Sequence, residues 1–395
     1  MKRSNSILAI ILLVVVAGCG GGKQPTDDLI TVDVRKNYPQ KELILQDFLD
    51  VEYITLETND DFVTEGRLYA VGKEIIAVSD VANGNILLFD RKTGKGIRKI
   101  NHRGQGPGEY MTVLSIMLDE DNEELFAVDN GSQKIFVYDL YGKFKRSIQY
   151  AYNREIYIYK ILNYDNNHLI FYDYSFVSND IFGTNFLPSY NIMSKQNGNI
   201  IRKIQFPFEK IISPVVVIEV QMPSASAWYT LVPDHGNWIL TEISSDTIYR
   251  FSPGDNRISP FIVRTPSIHS MDPGVLLYVS FLTDRYYFME TVKREYDRET
   301  RTYPFTDLVY DKQANEIFQF ILYNDDYSVK TPINMRIRTT PLYPLKNGIA
   351  FWHKLESYQL VESYKKGELK GRLKEIAAEL DEESNPVIML VKHRK

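Results

Sequence analysis

The chain has one cysteine, Cys19, among 395 residues, so no internal disulfide can form. Catalytic signatures are also lacking. No serine sits in a Gly-x-Ser-x-Gly elbow, and no Gly-Lys-Ser/Thr follows a glycine-rich turn, which excludes a P-loop. The six histidines (His102, His168, His235, His269, His353, His393) include no pair at helical zinc spacing. No long Lys/Arg run precedes the C-terminal helical stretch, and the net charge is −5. Nucleic-acid binding needs a basic face to neutralise phosphates, so that partner class is excluded. Beyond the first residues, no apolar stretch approaches the roughly twenty residues of a membrane-spanning helix.

What the first residues do contain is an export signal. Lys2 and Arg3 precede the aliphatic run Ile7 to Val16, and Val16-Ala17-Gly18-Cys19 places small residues before the cysteine. The run is too short to cross about 30 Å of hydrocarbon as a helix. The pattern is that of a bacterial lipobox. A lone thiol in an exported protein is a liability unless lipidation consumes it. The expected organisation is a signal peptide over 1–18, a flexible tether over 19–30 that includes the polar stretch Gly20 to Asp28 (GGGKQPTDD), and one domain over 31–395. The expected anchor is lipid on Cys19, and the expected partner is the membrane it enters. Gly20 after the cysteine points to the outer membrane of the cell envelope and leaves periplasmic and surface faces both open.

The remaining 395 − 18 = 377 residues exceed ordinary single-domain size, which suits an architecture built by repetition. Repeats are visible. Ile75 to Asp80 and Leu125 to Asn130 match, as do the following strands Ile86 to Asp90 and Ile135 to Asp139, then Gly96 to Ile100 and Phe144 to Ile148. Short strands separated by glycine turns signal antiparallel meanders. Weaker copies at His168 to Tyr172, Trp238 to Glu242, Tyr286 to Glu290 and Gly348 to Trp352 give six anchors: Ala77, Ala127, Ile170, Ile239, Phe288 and Ala350. Six anchors predict an all-β, six-bladed β-propeller of four-stranded blades. The alternative is a pair of β-sandwiches. Lys366 to Glu382 has helical spacing of its apolar residues, Asn385-Pro386 stops it, and Val387 to Val391 reads as a closing strand. A ring needs closure, and the terminal strand is expected to pair with Glu42 to Leu45 or Val51 to Leu56.

Four phrases carry a family resemblance: Val51 to Thr58 (VEYITLET), Gly104 to Tyr110 (GQGPGEY), Ser245 to Tyr249 (SDTIY) and Asn385-Pro386-Val387. From about residue 30 onward the chain resembles the six-bladed β-propeller lipoproteins of Bacteroides and relatives, related in shape to NHL-type propellers. The resemblance implies fold and envelope location. It implies no catalytic residue.

The glycine-rich phrase connects an outer strand to the next inner strand. It is expected either to stiffen that connection or to hold His102, Arg103, Glu109 and Tyr110 at the channel mouth, with Arg103 clamping a carboxylate or phosphate. Asp80, Asp90, Asp129 and Asp139 recur at matched places and are expected to shape turns rather than bind Ca²⁺. No cofactor and no metal site is expected. Tyr152, Tyr157, Tyr159, Tyr164, Tyr172 and Tyr174 crowd one stretch, where packing and sugar stacking are both open, as they are for Trp228 and Trp352. The functional expectation is non-catalytic binding of a glycan, peptide or envelope protein by a propeller face. The alternative is a lyase or hydrolase at the channel mouth. The anchor is directly testable. Cys19→Ser should abolish palmitate labelling and leave the chain soluble or unprocessed. A variant that still partitions with membranes like the wild type, with no partner holding it, overturns the assignment.

Overall fold

The computed structural model describes residues 29–394 except 65–66, 81–82, 151–155, 179–184, 216–229 and 334–347. The signal segment, Cys19, Tyr152 and Trp228 lie outside the described residues. Six antiparallel sheets form the blades of a β-propeller. The chain opens with β1 (Ile30–Asp33), β2 (Gln40–Ile44) and β3 (Leu49–Thr55). Blade 1 is β4 (Arg67–Val71), β5 (Ile75–Asp80), β6 (Asn85–Asp90) and β7 (Gly96–Asn101). Blade 2 is β8 (Ser115–Asp119), β9 (Glu124–Asp129), β10 (Lys134–Asp139) and β11 (Phe144–Gln149). Blade 3 is β12 (Ile158–Asn163), β13 (His168–Asp173), β14 (Ser189–Ser194) and β15 (Ile200–Ile204). Blade 4 is β16 (Leu231–Asp234), β17 (Asn237–Leu240), β18 (Thr247–Ser252) and β19 (Arg257–Thr265). Blade 5 is β20 (Val275–Leu282), β21 (Tyr286–Lys293), β22 (Phe305–Asp311) and β23 (Glu316–Tyr323). Blade 6 contains β24 (Ile349–Leu355), β25 (Val387–His393) and β3.

Burial explains which strands were easy to read. Second and third strands are covered on both faces by neighbouring blades, so β5, β6, β9 and β10 are buried almost throughout and read as continuous apolar runs. Outer strands alternate, as in β7 and β11, where only Ile100 and Ile148 are fully buried. All six sequence anchors fall in different blades, five of them on second strands rather than inner ones and Ala350 on β24, the end strand of the blade 6 sheet among the described residues. The inner strands β4, β8 and β12 touch one another around the axis, as do β16 and β20.

The ends of the chain close the ring. β25 pairs antiparallel with β3, Val391 opposite Val51 and Ile388 opposite Ile54, so the second of the two expected partners is the one used. The first goes elsewhere: β2 adds a parallel fifth strand outside β23 of blade 5, and β1 does the same outside β19 of blade 4. The first 25 or so described residues are thus a belt over the rims of blades 4, 5 and 6. Lys41 of β2 pins it by an ion pair to the buried Asp311 carboxylate at 2.8 Å. Burial alone would push the Asp311 carboxyl up, but Arg285, Lys41 and the Gln313 amide outweigh it and hold it well below the usual carboxylate range.

The expected helix over Lys366 to Glu382 is instead two helices, Ser357–Lys365 and Gly371–Glu379. Gly367 adopts φ 72° just after the first helix, a left-handed cap that ends it. Leu373, Ile376 and Ala377 still face inward, against Leu360 and Val387.

Asn385 joins the two ends. Its side-chain N–H groups donate to the carbonyls of Glu57 (2.6 Å) and Phe62, and its side-chain oxygen accepts from the Thr64 amide at 2.9 Å. Its own amide donates to the Thr58 hydroxyl at 2.8 Å, and its carbonyl accepts from Ser357 at 2.6 Å. Asn385→Ala strands several of these buried groups at about 1–3 kcal/mol each. Urea unfolding should show a clear loss of stability, and deletion of 384–395 should remove the cooperative transition. A wild-type midpoint in either variant overturns this account of closure.

Candidate functional site

At one end of the axis, where first strands turn into second strands, four blades enclose a cavity of about 270 Å³. Ala70–Lys73 of blade 1, Ile116–Asp121 of blade 2, Lys160–Asn166 of blade 3, and Pro233 and Trp238 of blade 4 line it. Its acidic rim is largely committed to holding turns. The Glu120 carboxylate accepts backbone N–H bonds from Lys73, Glu74 (2.9 Å) and Ile75 (2.8 Å), and Asp121 pairs with Lys73 at 2.6 Å. Buried Asp119 pairs with buried Lys195, whose amine also donates to the Asp165 carbonyl at 2.7 Å.

Three wall residues have a different character. Tyr164 is half-buried and lies nearly parallel to the buried Trp238 ring, centroids 6.3 Å apart. The side-chain oxygen of Asn163 is buried and has no hydrogen-bond partner among the described residues. Lys160, half-buried on β12, has its amine pulled down to about 7 by burial. Sequence reasoning singled out neither Asn163 nor Lys160. They sit on a first strand, whose apolar pattern is weak.

The loop residues predicted from sequence lie elsewhere. Tyr110 is buried, and its hydroxyl donates to the Gly84 carbonyl at 2.8 Å while accepting the His102 amide at 3.1 Å. Gly84 lies beyond one end of β5 and the cavity residues Gly72 and Lys73 precede the other end. About six strand residues, roughly 20 Å, therefore separate this loop from the cavity. His102 stacks on Tyr138 of blade 2 (4.8 Å, 3°) and hydrogen-bonds the Gly142 carbonyl at 2.6 Å. Tyr138 in turn donates to the Gly108 carbonyl at 2.8 Å. Glu109 folds back to accept the Gly106 amide at 2.8 Å, and both Glu109 and Arg103 are exposed. Of the two expectations for this loop, it does not reach this cavity and instead joins blades 1 and 2 as a seam.

Its glycines serve close approach. None of Gly104, Gly106 and Gly108 has a left-handed φ. A Cβ at Gly108 would stand 2.8 Å from the Phe144 ring, and one at Gly104 only 2.0 Å from a Glu109 oxygen.

The recurring aspartates shape turns, as expected. Asp90 accepts from the Thr93 amide at 2.7 Å, Asp129 from Gly131 at 2.9 Å and Asp139 from Lys143 at 2.8 Å. Buried Asp173 does the same in blade 3 and Asp311 in blade 5, so the pattern extends further than the sequence suggested. The histidines are dispersed. His168 meets Asp165, His269 meets the Ser244 carbonyl, and burial lowers His353 to about 4. His235 and His393 approach within 5.6 Å, yet among the described residues no group of three or more ligands is placed to hold a metal ion. Of the tyrosine-rich stretch, Tyr172 and Tyr174 pack with Tyr190 in the core, and Tyr172 donates to buried Glu242 at 2.6 Å. Trp352 is likewise buried.

Six blades around an axis, closed by both chain ends, define a β-propeller. The chain belongs to a family described as 6-bladed beta-propeller, whose profile matches residues 22–340. No curated protein matches. Among solved structures, one named as an exported protein of Bacteroides fragilis is 15% identical with a TM-score of 0.57, covering 93% of this chain and 99% of that one. A member of the DUF4221 family from Bacteroides vulgatus is 10% identical with a TM-score of 0.47, covering 89% and 99%. At 15% identity the likeness to the Bacteroides fragilis protein concerns the fold alone.

The seam assignment is testable. Tyr110→Phe leaves the Gly84 carbonyl without its donor and should cost about 1–3 kcal/mol in urea unfolding. Unchanged stability would mean that the loop is not held by this contact.

Proposed function

We propose that the protein is a cell-envelope lipoprotein, anchored at Cys19, whose propeller binds one end of a glycan in the axial cavity without catalysis. The observation that carries this reading is the Asn163 side-chain oxygen. It is a buried acceptor without a partner among the described residues, in the wall of a cavity. Such a group costs about 1–3 kcal/mol while unsatisfied, and a ligand hydroxyl would satisfy it. Tyr164, backed by Trp238, offers a ring for the apolar C–H face of a sugar. The volume of about 270 Å³ lies just below the range of most ligand pockets, roughly 300–1,000 Å³, and suits a single ring or a chain end.

The anchor fits this reading. β1 starts at Ile30, so a tether from Cys19 spans at most about 40 Å. It enters at the rim of blade 4, outside β19. A rim held near the membrane leaves the axial cavity open to the side. Arg103 and Glu109 lie at the seam between blades 1 and 2 and take no part in this pocket.

Calorimetric titration of the full chain in detergent with mono- and disaccharides tests the proposal. A saturable binder should lose at least tenfold in affinity on Asn163→Leu, with the unfolding midpoint kept. Binding indifferent to Asn163→Leu, or no binding across the panel, overturns it. New reducing ends or unsaturated products would overturn its non-catalytic part.

A further inference from the structure

We propose that His235 and His393 share a divalent transition-metal ion of the Zn²⁺ class, held at the axial face where blades 4, 5 and 6 meet. This site is independent of what the axial cavity binds.

Three segments far apart in sequence come together here. His235 stands in the turn between β16 and β17 of blade 4, and Asp284 in the equivalent turn between β20 and β21 of blade 5. His393 ends β25, the closing strand, and its amide donates to the Gly348 carbonyl at 2.8 Å in blade 6. The His235 and His393 ring centroids are 5.6 Å apart and the rings are inclined at 50°. With metal–nitrogen bonds of about 2.0–2.1 Å, two imidazoles on one tetrahedral ion hold their ring centres about 5–5.5 Å apart. A movement of a few tenths of an ångström therefore brings this pair into ligation.

The surroundings of His235 set it up as a ligand. Its Nδ1 lies 2.9 Å from a carboxylate oxygen of Asp234, which also pairs with Arg250 at 3.3 Å. A carboxylate only accepts, so in the neutral ring the proton sits on Nδ1 and Nε2 keeps its lone pair. A carboxylate behind the ring is the usual means of orienting a metal-binding imidazole. Ahead of Nε2, at 3.7 Å, stands an oxygen of Asp284. Two lone-pair atoms facing each other at this distance repel, and a cation between them turns the repulsion into attraction. Bonds of about 2.0–2.2 Å let two ligand atoms of one ion stand as much as roughly 4.2 Å apart, so the gap is wide enough.

Among the described residues no three ligands converge on one point. The protein thus supplies the two imidazoles, water fills the other positions, and the Asp284 carboxylate offsets charge beside them. Imidazole ligation selects zinc, nickel or copper over calcium and magnesium, which require oxygen. His235 and Asp284 are exposed, so an ion enters from solvent without disturbing the core. Once bound, it ties the blade 4 turn to the closing strand and stabilises the closed ring.

The test uses the full, tag-free chain in detergent, stripped with a chelator and titrated calorimetrically with zinc chloride. One ion should bind per chain, unaffected by excess Ca²⁺ or Mg²⁺, and zinc should raise the unfolding midpoint. His235 has a left-handed backbone, φ 45°, which asparagine also tolerates, so His235→Asn keeps the turn. His235→Asn and His393→Gln should each weaken zinc binding at least tenfold, with the metal-free midpoint kept. Asp284→Asn should weaken it by less. With Cu²⁺ as the probe, electron spin-echo modulation should count two imidazoles in the wild type and one in either histidine variant. No bound ion, zinc affinity unchanged by His235→Asn, or a single imidazole in the wild type would overturn the inference. Should His393→Gln fail to fold, the exposed His235→Asn and the imidazole count decide it.

Discussion

A ring of blades has a seam wherever the chain begins and ends, and everything else in this propeller depends on closing it. Blade 6 takes its outer strand, β3, from the start of the chain and its neighbour, β25, from the end. An open blade would expose a row of unpaired backbone groups and free one inner strand from its neighbours. With no disulfide available, closure rests on hydrogen bonds: the β3–β25 ladder, the five bonds of Asn385, and the belt that β1 and β2 draw across blades 4 and 5. Parallel addition of β1 and β2 also covers two outer edges that would otherwise face solvent.

The four phrases that carried the family resemblance turn out to be seams. In VEYITLET, the Glu57 amide donates to the Gly94 carbonyl at 2.9 Å and its carboxylate accepts the Gly96 amide at 2.7 Å, joining blade 6 to blade 1. GQGPGEY joins blade 1 to blade 2 through Tyr110 and His102. In SDTIY, Tyr249 stacks on Phe206 at 4.0 Å, joining blade 4 to the end of blade 3, and Asp246 accepts the Ile268 amide on the way to blade 5. Asn385-Pro386-Val387 closes the ring. A fifth seam passed unnoticed in the sequence. Arg98, Arg146 and Arg202 hold the same place in three successive outer strands, and each reaches over the next blade. They meet the Tyr141 ring (5.2 Å), the Lys195 carbonyl (3.0 Å) and the Phe251 ring (4.7 Å) respectively.

This explains what was legible. Strands buried on both faces write themselves as apolar runs, so the six anchors fell one to a blade, five of them on second strands, and blade number followed. The closing strand was legible because an apolar run after a helix stop has few other uses. The belt was not, since QKELI is buried only at Leu43 and its pairing is a property of the distant β23. Nor was the helix break, which hangs on the left-handed backbone of Gly367. The role of the glycine-rich loop stayed open between stiffening and binding because glycine and proline announce a fixed shape without saying what the shape is for. Here the glycines let Phe144 and Glu109 come close.

The cavity was invisible for a deeper reason. Its wall takes one short piece from each of four blades, so no contiguous motif encodes it, and its most informative atoms are defined by what surrounds them. Asn163 matters because its oxygen is buried without a donor among the described residues. That condition requires neighbours that do not relax. The Asp119–Lys195 pair, the Glu120 cap and the arginine seams supply that rigidity around the same face. A scaffold held this firmly between blades can keep a polar acceptor in a desolvated wall, where in a looser protein water would reach it. The ionic stitches between blades and the binding proposed at the axis are therefore parts of one design.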